Sequence, residues 1–270
     1  MDRYAVIGNP IEHSLSPRIH GLFARQTGQQ MRYDRILAPA DGFGPVAEEF
    51  FSGGGRGLNV TVPFKMEAAV WVDELEEGAR FAGAVNTIRL GAGNRREGFN
   101  TDGPGLVADL RRQLGAPADL DILLIGAGGA ARGVVRPLMA DLARRLVIAN
   151  RSPARATAIA SELAAEFPGC EVQGCGFEAV RGHFDLVINA TSAGLEDQLP
   201  DIDPGLVEGA FCYDMVYGGE TAFCRWARSA GASGAVDGLG MLVEQAALAF
   251  ELWRGVRPDP EPILAALRER

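Results

Sequence analysis

Residues 126–131, with the sequence Gly-Ala-Gly-Gly-Ala-Ala, form a turn whose composition suits the binding of phosphate groups. An apolar run of strand type, Asp121–Ile125, precedes the turn, and a helical period of apolar residues follows it. In such a unit Gly126 permits a tight turn, Gly128 lets the backbone approach a pyrophosphate, and the small Ala131 lets the helix pack on the sheet. Amide groups at the helix start then face the phosphate charge. The sequence therefore predicts a dinucleotide site formed by Gly126, Ala127, Gly128, Gly129 and Ala130.

The residues after the next strand indicate which dinucleotide binds. The strand ends at Asn150, Arg151 and Ser152, about 20 residues beyond the glycines, where a ribose-contacting residue is expected. An NAD site commonly has Asp or Glu there, whereas this chain has a neutral amide, then Arg151, and Arg155 one helical turn on. A guanidinium can bind a 2′-phosphate through two hydrogen bonds. Solvated cations at a helix start are the alternative interpretation, and NADP is the cofactor that the pattern favours.

A row of polar side chains follows a strand in the N-terminal part of the chain. Within Gly57–Lys65, alternation separates Asn59, Thr61 and Lys65 from the apolar side chains. Open α/β sheets bind ligands at the carboxyl ends of their strands, so this row is a candidate ligand site. A lysine after a proline is more often a surface residue, but its polar neighbours favour a functional role.

Two serines precede the first predicted helix. Pro17 suits the first turn of that helix, with Ser16 as its cap and Ser14 two residues before it. Serines in this position commonly serve only as caps. Their hydroxyl groups equally suit a carboxylate or polyhydroxy ligand at the helix N-terminus, and both interpretations stay open at this point.

The composition is that of an ordinary globular protein and limits the class of partner. The 270 residues are 47% hydrophobic and 23% charged, and this length allows two modest domains. The net charge of −9 argues against a nucleic-acid partner but leaves an anionic small molecule open. No apolar run approaches the ~18 residues of a membrane span, and the N-terminus lacks a signal-peptide pattern. We therefore expect a cytoplasmic protein. The cysteine and histidine spacings match no metal site, so we expect reduced thiols and no metal.

Strand-like and helix-like segments alternate on both sides of a predicted linker helix that begins near residues 101–105. The pattern predicts helices over 42–51, 66–72 and 73–81 and a strand over 84–89. This alternation indicates two α/β domains with mainly parallel sheets. The N-terminal domain lacks a glycine fingerprint and is expected to bind substrate, while the second is a Rossmann-type NADP-binding domain. We expect the active site in a cleft between them.

With these motifs in hand, the chain closely resembles the shikimate dehydrogenase family. The matching motifs span the chain almost end to end, in family order and spacing: His13–Pro17, Asn59–Lys65, Gly83–Thr87, Asn100–Gly103, Gly126–Ala131, Asn189–Gly194 and Asp237–Ala246. The resemblance implies reversible NADPH-dependent reduction of 3-dehydroshikimate to shikimate in aromatic amino-acid biosynthesis, by a monomer or homodimer. It also implies that the final helices fold back onto the first domain. The implied domains are residues 1–103 plus 238–270 for substrate and 104–237 for NADP.

Carried over residue by residue, the resemblance assigns Lys65 and Asp102 as the proton-transfer pair. Hydride transfer to a carbonyl carbon leaves an alkoxide, which an ammonium at Lys65 stabilises and protonates. Ser14 and Ser16 would hold the substrate carboxylate. The other implied substrate residues are Asn59, Thr61, Asn86, Tyr217 and Gln245. Besides the glycine turn, the implied cofactor residues are Asn150, Arg151, Ser152, Arg155, Thr191, Met215, Val216, Gly238 and Met241.

The sequence departs from the family pattern at Gly21, where Asn is common, and at Ala222, where Pro is common. Relatives that accept quinate, aminated substrates or NAD are one alternative, which the Ser14 and Thr61 pair and Arg151 disfavour. An enzyme that oxidises a folate carbon unit is another, but the polar set fits a small polyol acid better than a flat pterin. A non-catalytic NADP-binding sensor is a third, and it would not need Lys65 together with Asp102.

Overall fold

The computed structural model describes residues 1–191 and 199–269. The chain folds into two compact units, which we call unit 1 (Met1–Gly105 and Leu242–Arg270) and unit 2 (Leu106–Met241). Each contains a sheet with helices, so the predicted two-domain α/β class is confirmed. The division falls inside two helices, whereas the sequence places the boundaries after residues 103 and 237. None of the helices in the described residues combines the length and apolarity that a membrane crossing needs.

The elements are numbered in chain order over the described residues. The strands are β1 (Asp2–Gly8), β2 (Met31–Leu37), β3 (Gly55–Val60), β4 (Glu74–Leu75), β5 (Thr87–Leu90), β6 (Arg96–Phe99), β7 (Leu120–Ile125), β8 (Ala143–Ala149), β9 (Glu171–Cys175), β10 (Leu186–Asn189), β11 (Phe211–Asp214) and β12 (Gly234–Val236). The α-helices are α1 (Ser16–Gln26), α2 (Phe43–Ser52), α3 (Lys65–Trp71), α4 (Glu77–Ala82), α5 (Asp102–Leu114), α6 (Gly129–Asp141), α7 (Pro153–Glu166), α8 (Ala222–Ser229), α9 (Leu239–Arg254) and α10 (Glu261–Arg268).

The sheet of unit 1 has the strand order β2-β1-β3-β5-β6-β4 within the described residues. The strand β1 runs parallel to both β2 and β3, and β4 runs parallel to β6. The strand β5 is antiparallel to both β3 and β6, and a short turn at Ala92–Asn94 joins β5 and β6 as a hairpin. Parallel pairs are therefore in the majority, but the sheet is mixed. The core between this sheet and its helices includes the buried side chains of Ile7, Phe43, Leu58, Phe64, Val85 and Ile88.

The sheet of unit 2 is parallel throughout its described strands, in the order β12-β11-β10-β7-β8-β9. This is the order of a doubly wound Rossmann sheet, in which the strand sequence reverses between β7 and β10. Strand β7 carries the Asp121–Ile125 run, and residues 122–125 are fully buried because both faces of the sheet are covered. The carboxyl ends of β7 and β10 therefore define the crevice where ligands of this fold bind.

Two segments of unit 1 differ from the sequence prediction. The helix predicted over 73–81 is instead β4 followed by α4, because the Glu76 side chain accepts hydrogen bonds from the Gly78 and Ala79 amides and so caps a new helix. The strand predicted over 84–89 begins only at Thr87. The Val85 amide donates to the carbonyl of Lys65 at the start of α3, and the Asn86 amide donates to the carbonyl of Phe99 at the end of β6, so residues 85 and 86 are bonded to both elements before the ladder to β3 begins.

The helix α1 places His20 in the aromatic core of unit 1. Its ring is 0% exposed and stacks on Tyr33, with 4.2 Å between ring centroids and an interplanar angle of 8°. Trp253 from α9 lies 5.3 Å away, centroid to centroid. Neither ring nitrogen makes a hydrogen bond of good geometry within the described residues. Burial lowers the pKa of His20 to about 3, so the folded protein holds a neutral imidazole at ordinary pH.

This burial predicts an acid-dependent loss of stability. In the unfolded chain His20 takes up a proton below its ordinary pKa of 6.5, whereas in the folded chain it stays neutral down to about pH 3. The contribution of the neutral imidazole to the free energy of unfolding is therefore complete above pH 6.5 and is lost progressively as the pH falls below that value. We expect His20 to lower the free energy of unfolding by about 2 kcal/mol between pH 7 and pH 5. Urea unfolding at both pH values measures this. His20→Phe should lose most of the difference and the exposed control His13→Gln should retain it, whereas an unchanged difference in His20→Phe would contradict the assignment.

Candidate active site

Lys65 and Asp102 meet because each is the first residue of a helix that follows a strand of unit 1. The Lys65 Nζ lies 2.6 Å from the Asp102 Oδ2. The two side chains are 31% and 16% exposed, so the pair is shielded without being closed off from a ligand. The structure thus brings together the two residues that the sequence predicts as the catalytic pair.

Lys65 is also the only lysine of the chain, whose 26 basic residues are otherwise all arginines. Arginine stays protonated at any pH that a protein tolerates, whereas an ammonium group can give up a proton and take it back. Among the lysines and arginines of the chain, Lys65 is therefore the one whose cation can serve as a general acid. This compositional signal supports the functional interpretation of Lys65 over that of a surface residue.

The Asn86 side chain fixes the position of Asp102. Its Nδ2 donates to the Asp102 Oδ1 at 2.8 Å and to the Thr101 Oγ1 at 2.9 Å. Its Oδ1 accepts from the Thr101 amide and the Thr87 hydroxyl, each at 2.9 Å. Asn86 is 3% exposed, and Gln245 from α9 reaches it with an oxygen–nitrogen distance of 3.4 Å. Asn86 and Gln245 therefore lie beside the pair, and the amide hydrogens of Asn86 are directed to protein partners; the predicted contacts of both residues with substrate hydroxyls stay predictions.

Asn59 and Thr61 occupy the end of β3 and the residues after it. The Asn59 Nδ2 donates to the Asn86 carbonyl and the Thr87 hydroxyl at 3.2 and 3.0 Å, and its Oδ1 accepts from the Tyr33 hydroxyl at 2.6 Å. Asn59 is 6% exposed, so its predicted contact with a substrate hydroxyl stays a prediction. Sequence reasoning missed Tyr33, since its place in the β2 alternation does not show that its hydroxyl reaches Asn59.

The two serines at the start of α1 are joined by a hydrogen bond. Ser16 is the first residue of the helix, and the N-cap position belongs to Leu15, so the prediction that Ser16 caps α1 is wrong. The Ser14 Oγ instead accepts a hydrogen bond from the Ser16 amide at 3.3 Å. Because this oxygen is already an acceptor, its own proton is free to donate to an anionic ligand.

The glycine turn of unit 2 has the form that a phosphate site needs. Gly126 has φ of +112°, and a Cβ there would lie 3.2 Å from the Ala190 backbone. Gly128 occupies the N-cap position of α6, and Gly129 and Ala130 begin the helix. A Cβ at Gly128 would meet no atom within 4 Å, so the space in front of the helix start is open. The amides of this turn therefore face free space at a helix N-terminus.

A cavity of about 1440 Å³ extends from this turn across the end of β8. Of the predicted cofactor residues, its lining includes Gly126, Ala127, Gly128, Asn150, Arg151, Arg155 and Thr191. Ser152 lies beside them as the N-cap residue of α7. Within the described residues, Arg151 and Arg155 are exposed and make no ion pair, so both cations are available to a ligand. Phe177 and Arg181 also line the cavity, and they were missed because they lie in an irregular stretch.

A second group of predicted cofactor residues lies at the ends of β10, β11 and β12. The buried Asn189 organises it: its Oδ1 accepts from the Thr191 amide and hydroxyl, and its Nδ2 donates to the Asp214 Oδ1 at 3.1 Å. Asp214 also accepts from the Val216 amide, and burial raises its pKa. Asn189 and Asp214 were not predicted as site residues. Of the motif Asn189–Gly194, residues 192–194 lie outside the described part.

In this second group, the absence of a side chain at Gly238 lets the chain after β12 pass close to the backbone that follows β11. A Cβ at Gly238 would lie 2.4 Å from the Met215 carbonyl oxygen, and the Gly238 amide donates to the Val216 carbonyl at 3.0 Å. The Met241 amide donates to the Tyr213 hydroxyl at 3.1 Å. Tyr217, a predicted substrate residue, follows β11 in unit 2 and is 40% exposed.

A glycine turn at the switch point of a parallel sheet, a pair of free arginines in the cavity beside it, and a lysine–carboxylate pair on a second α/β unit define a nucleotide-dependent oxidoreductase of two-domain plan. Comparison with known proteins gives its family. Residues 6–88 match the shikimate dehydrogenase substrate binding domain, residues 109–196 the shikimate/quinate 5-dehydrogenase model, and residues 238–268 the shikimate 5′-dehydrogenase C-terminal domain. The chain belongs to the shikimate dehydrogenase family.

Individual relatives agree with this assignment. A shikimate dehydrogenase (NADP(+)) from Alkalilimnicola ehrlichii is 54% identical over 270 residues, covering 99% of this chain and 98% of the relative. The crystal structure of an Ael1 enzyme from Pseudomonas putida matches with a TM-score of 0.93 at 43% identity, over 99% of this chain and 98% of that one. The structure of a shikimate 5-dehydrogenase from Thermus thermophilus, solved with NADP(H) and shikimate, matches with a TM-score of 0.86 at 35% identity. The match covers 100% of this chain and 99% of that chain.

The glycine turn yields a prediction that separates folding from binding. Gly128→Ala adds a methyl group to open space, so we expect stability within about 0.5 kcal/mol of the parent chain but a dinucleotide affinity reduced by about tenfold or more. Gly126→Ala places alanine at a strained φ and should destabilise the chain by about 1–3 kcal/mol. Thermal unfolding and titration with NADP⁺ measure both. Undiminished NADP⁺ affinity in Gly128→Ala would contradict the assignment of this turn.

Proposed function

We propose that this chain catalyses the reversible NADPH-dependent reduction of 3-dehydroshikimate to shikimate. The observation that carries the proposal is the Lys65–Asp102 pair, held by Asn86 and formed by the only lysine of the chain. Membership of the shikimate dehydrogenase family and the names of its relatives support the substrate and the cofactor. The pathway that this reaction serves is aromatic amino-acid biosynthesis.

The residues of unit 2 fit NADP. The open glycine turn can take the pyrophosphate on backbone amides, and Arg151 and Arg155, unpaired within the described residues, can hold the 2′-phosphate. When bound, NADPH supplies the hydride that reduces the substrate carbonyl carbon. Met215, Val216, Gly238 and Met241 are proposed to contact the remainder of the cofactor.

The residues of unit 1 account for binding and proton transfer. Ser14 and Ser16 are proposed to donate hydrogen bonds to the substrate carboxylate. The Lys65 ammonium donates to the carbonyl oxygen, stabilises the negative charge that develops there and delivers the proton to it. Asp102 orients the ammonium through its Oδ2, while Asn86 fixes the other carboxylate oxygen. In the reverse direction, Lys65 as the free amine accepts the proton of the shikimate hydroxyl.

Other predicted properties are part of the same proposal. We propose a cytoplasmic enzyme, active as a monomer or homodimer, whose partner is the small-molecule substrate. Tyr217, Thr61, Asn59 and Gln245 complete the proposed substrate contacts. The test of the function is the change in NADPH or NADH absorbance with 3-dehydroshikimate, and of the oxidised cofactors with shikimate and quinate. Turnover with the NADPH pair alone supports the proposal, comparable rates with quinate or NADH indicate the broader relatives, and no turnover with any pair overturns it.

The role of Lys65 predicts a loss of turnover rather than of binding. Lys65→Ala should lower kcat by about two to four orders of magnitude, because the proton donor is removed, with a smaller effect on KM. Lys65→Arg keeps the charge but does not release a proton, so its kcat should fall by a similar factor. Steady-state kinetics with shikimate and NADP⁺ measure both variants. A defect in KM alone would show that Lys65 only binds substrate.

The arginines of the cavity predict cofactor discrimination. Arg151→Gln and Arg155→Gln should each raise the KM for NADPH by about tenfold or more, because each removes a charge-assisted contact to the 2′-phosphate. The KM for NADH, which lacks this phosphate, should change by less than about twofold. Arg144→Gln is the matched control, since Arg144 is exposed and already paired with Asp121. Equal changes in the KM values for NADPH and NADH would show that these arginines do not contact the 2′-phosphate.

A further inference from the structure

Arg35 makes an unusual contact for an exposed residue of the edge strand β2. Its Nε and Nη2 both donate to the carbonyl oxygen of Ser14, at 3.2 and 2.6 Å. Within the described residues Arg35 forms no ion pair. The adjacent Asp34 pairs instead with Arg32, with 2.8 Å between nitrogen and oxygen. The guanidinium of Arg35 is therefore an uncompensated cation held against the backbone of Ser14.

Ser14 depends on this contact for its link to the sheet. The Ser14 amide donates to the Ile11 carbonyl at 3.1 Å, and the Ser14 Oγ accepts from the Ser16 amide at 3.3 Å. Both partners belong to the same stretch before and at the start of α1. In the described part of the chain, Arg35 alone ties the Ser14 peptide to a strand. Arg35 thus fixes the Ser14 backbone, from which the hydroxyl group extends, relative to β2.

The charge of Arg35 matters as much as its hydrogen bonds. The chain carries a net charge of −9, which opposes the approach of a carboxylate. Lys65, the other cation proposed to contact the substrate, is paired with Asp102. A guanidinium on the Ser14 carbonyl polarises that peptide and lowers the cost of placing an anion at the Ser14 hydroxyl.

We propose that Arg35 is a positioning residue for the substrate carboxylate, holding the Ser14 hydroxyl in place and supplying positive charge behind it. This inference rests on the proposed function, in which Ser14 receives the carboxylate. Arg35 acts through Ser14 and contacts neither the reacting carbonyl nor the cofactor.

Arg35→Gln is the direct test. The KM for shikimate should rise about three- to tenfold, while kcat and the KM for NADP⁺ stay within about twofold. Arg32→Gln is the matched control, because it removes the same charge from the same strand and should leave all three constants unchanged. Arg35→Lys retains the charge and one hydrogen bond, so it should recover most of the loss. Equal effects of Arg35→Gln and Arg32→Gln, or no recovery in Arg35→Lys, would overturn the inference.

Two further measurements separate this inference from the proposed function. Combining Arg35→Gln with Ser14→Ala should add little to the effect of Ser14→Ala alone, because Arg35 acts through Ser14; fully multiplicative effects would overturn the inference. With the neutral methyl ester of shikimate, whose carbonyl can still accept from the Ser14 hydroxyl, Arg35→Gln should raise KM by a smaller factor than with shikimate, because only the effect of the charge is lost; an undiminished effect there would also overturn the inference. A Ser14→Ala variant with an unchanged KM for shikimate would instead count against the proposed role of Ser14.

Discussion

The side-chain amide of Asn86 is the point through which the groups around Asp102 are connected. It is 3% exposed and binds the Asp102 Oδ1, the Thr101 hydroxyl and amide and the Thr87 hydroxyl. Because one carboxylate oxygen is held in this way, the other is left for Lys65. A buried amide with all its hydrogen-bonding groups satisfied has one stable orientation. The position of the ammonium therefore follows from the orientation of a residue that need not touch the reacting atoms.

Unit 2 also has a buried asparagine that connects polar groups at the ends of its strands. Asn189 is fully buried at the end of β10 and joins Thr191 on one side to Asp214 on the other. Parallel strands bring their carboxyl ends to one edge, where residues far apart in sequence become neighbours. In both units, a buried asparagine at this edge forms hydrogen bonds to side chains of the proposed site and so holds them in place: Asn86 binds Asp102, and Asn189 binds Thr191 and Asp214. The exposed groups that we propose to bind the cofactor, such as Arg151 and Arg155, lie outside this buried hydrogen-bond network.

The sequence predicted the parts of the fold that depend on local pattern. The Gly126–Ala131 turn, the buried strand β7 and the helix α3, predicted over 66–72 and found at Lys65–Trp71, follow from residue periodicity and backbone freedom, which act over a few residues. The mixed sheet of unit 1 did not follow, because β5 pairs antiparallel with β3, from which α3, β4 and α4 separate it in the sequence. The contact of Asn86 with Gln245 joins residues 159 positions apart, and only the family resemblance could suggest it. The contacts of Tyr33 and Arg35 depend on which strands are neighbours, and periodicity carries no such information.

Chemical rescue of Lys65→Ala tests whether a compact ammonium at position 65 delivers the proton, as we propose. The Lys65 side chain is 31% exposed, so a small amine can reach the space that the substitution leaves. The kcat for reduction of 3-dehydroshikimate is measured against the concentration of added methylammonium, with guanidinium as the matched cation. If Lys65 is the proton donor, methylammonium restores turnover in a saturable way. Guanidinium does not restore it, because it does not release a proton. Equal restoration by both cations, or none by methylammonium, would contradict the assignment of Lys65 as the proton donor.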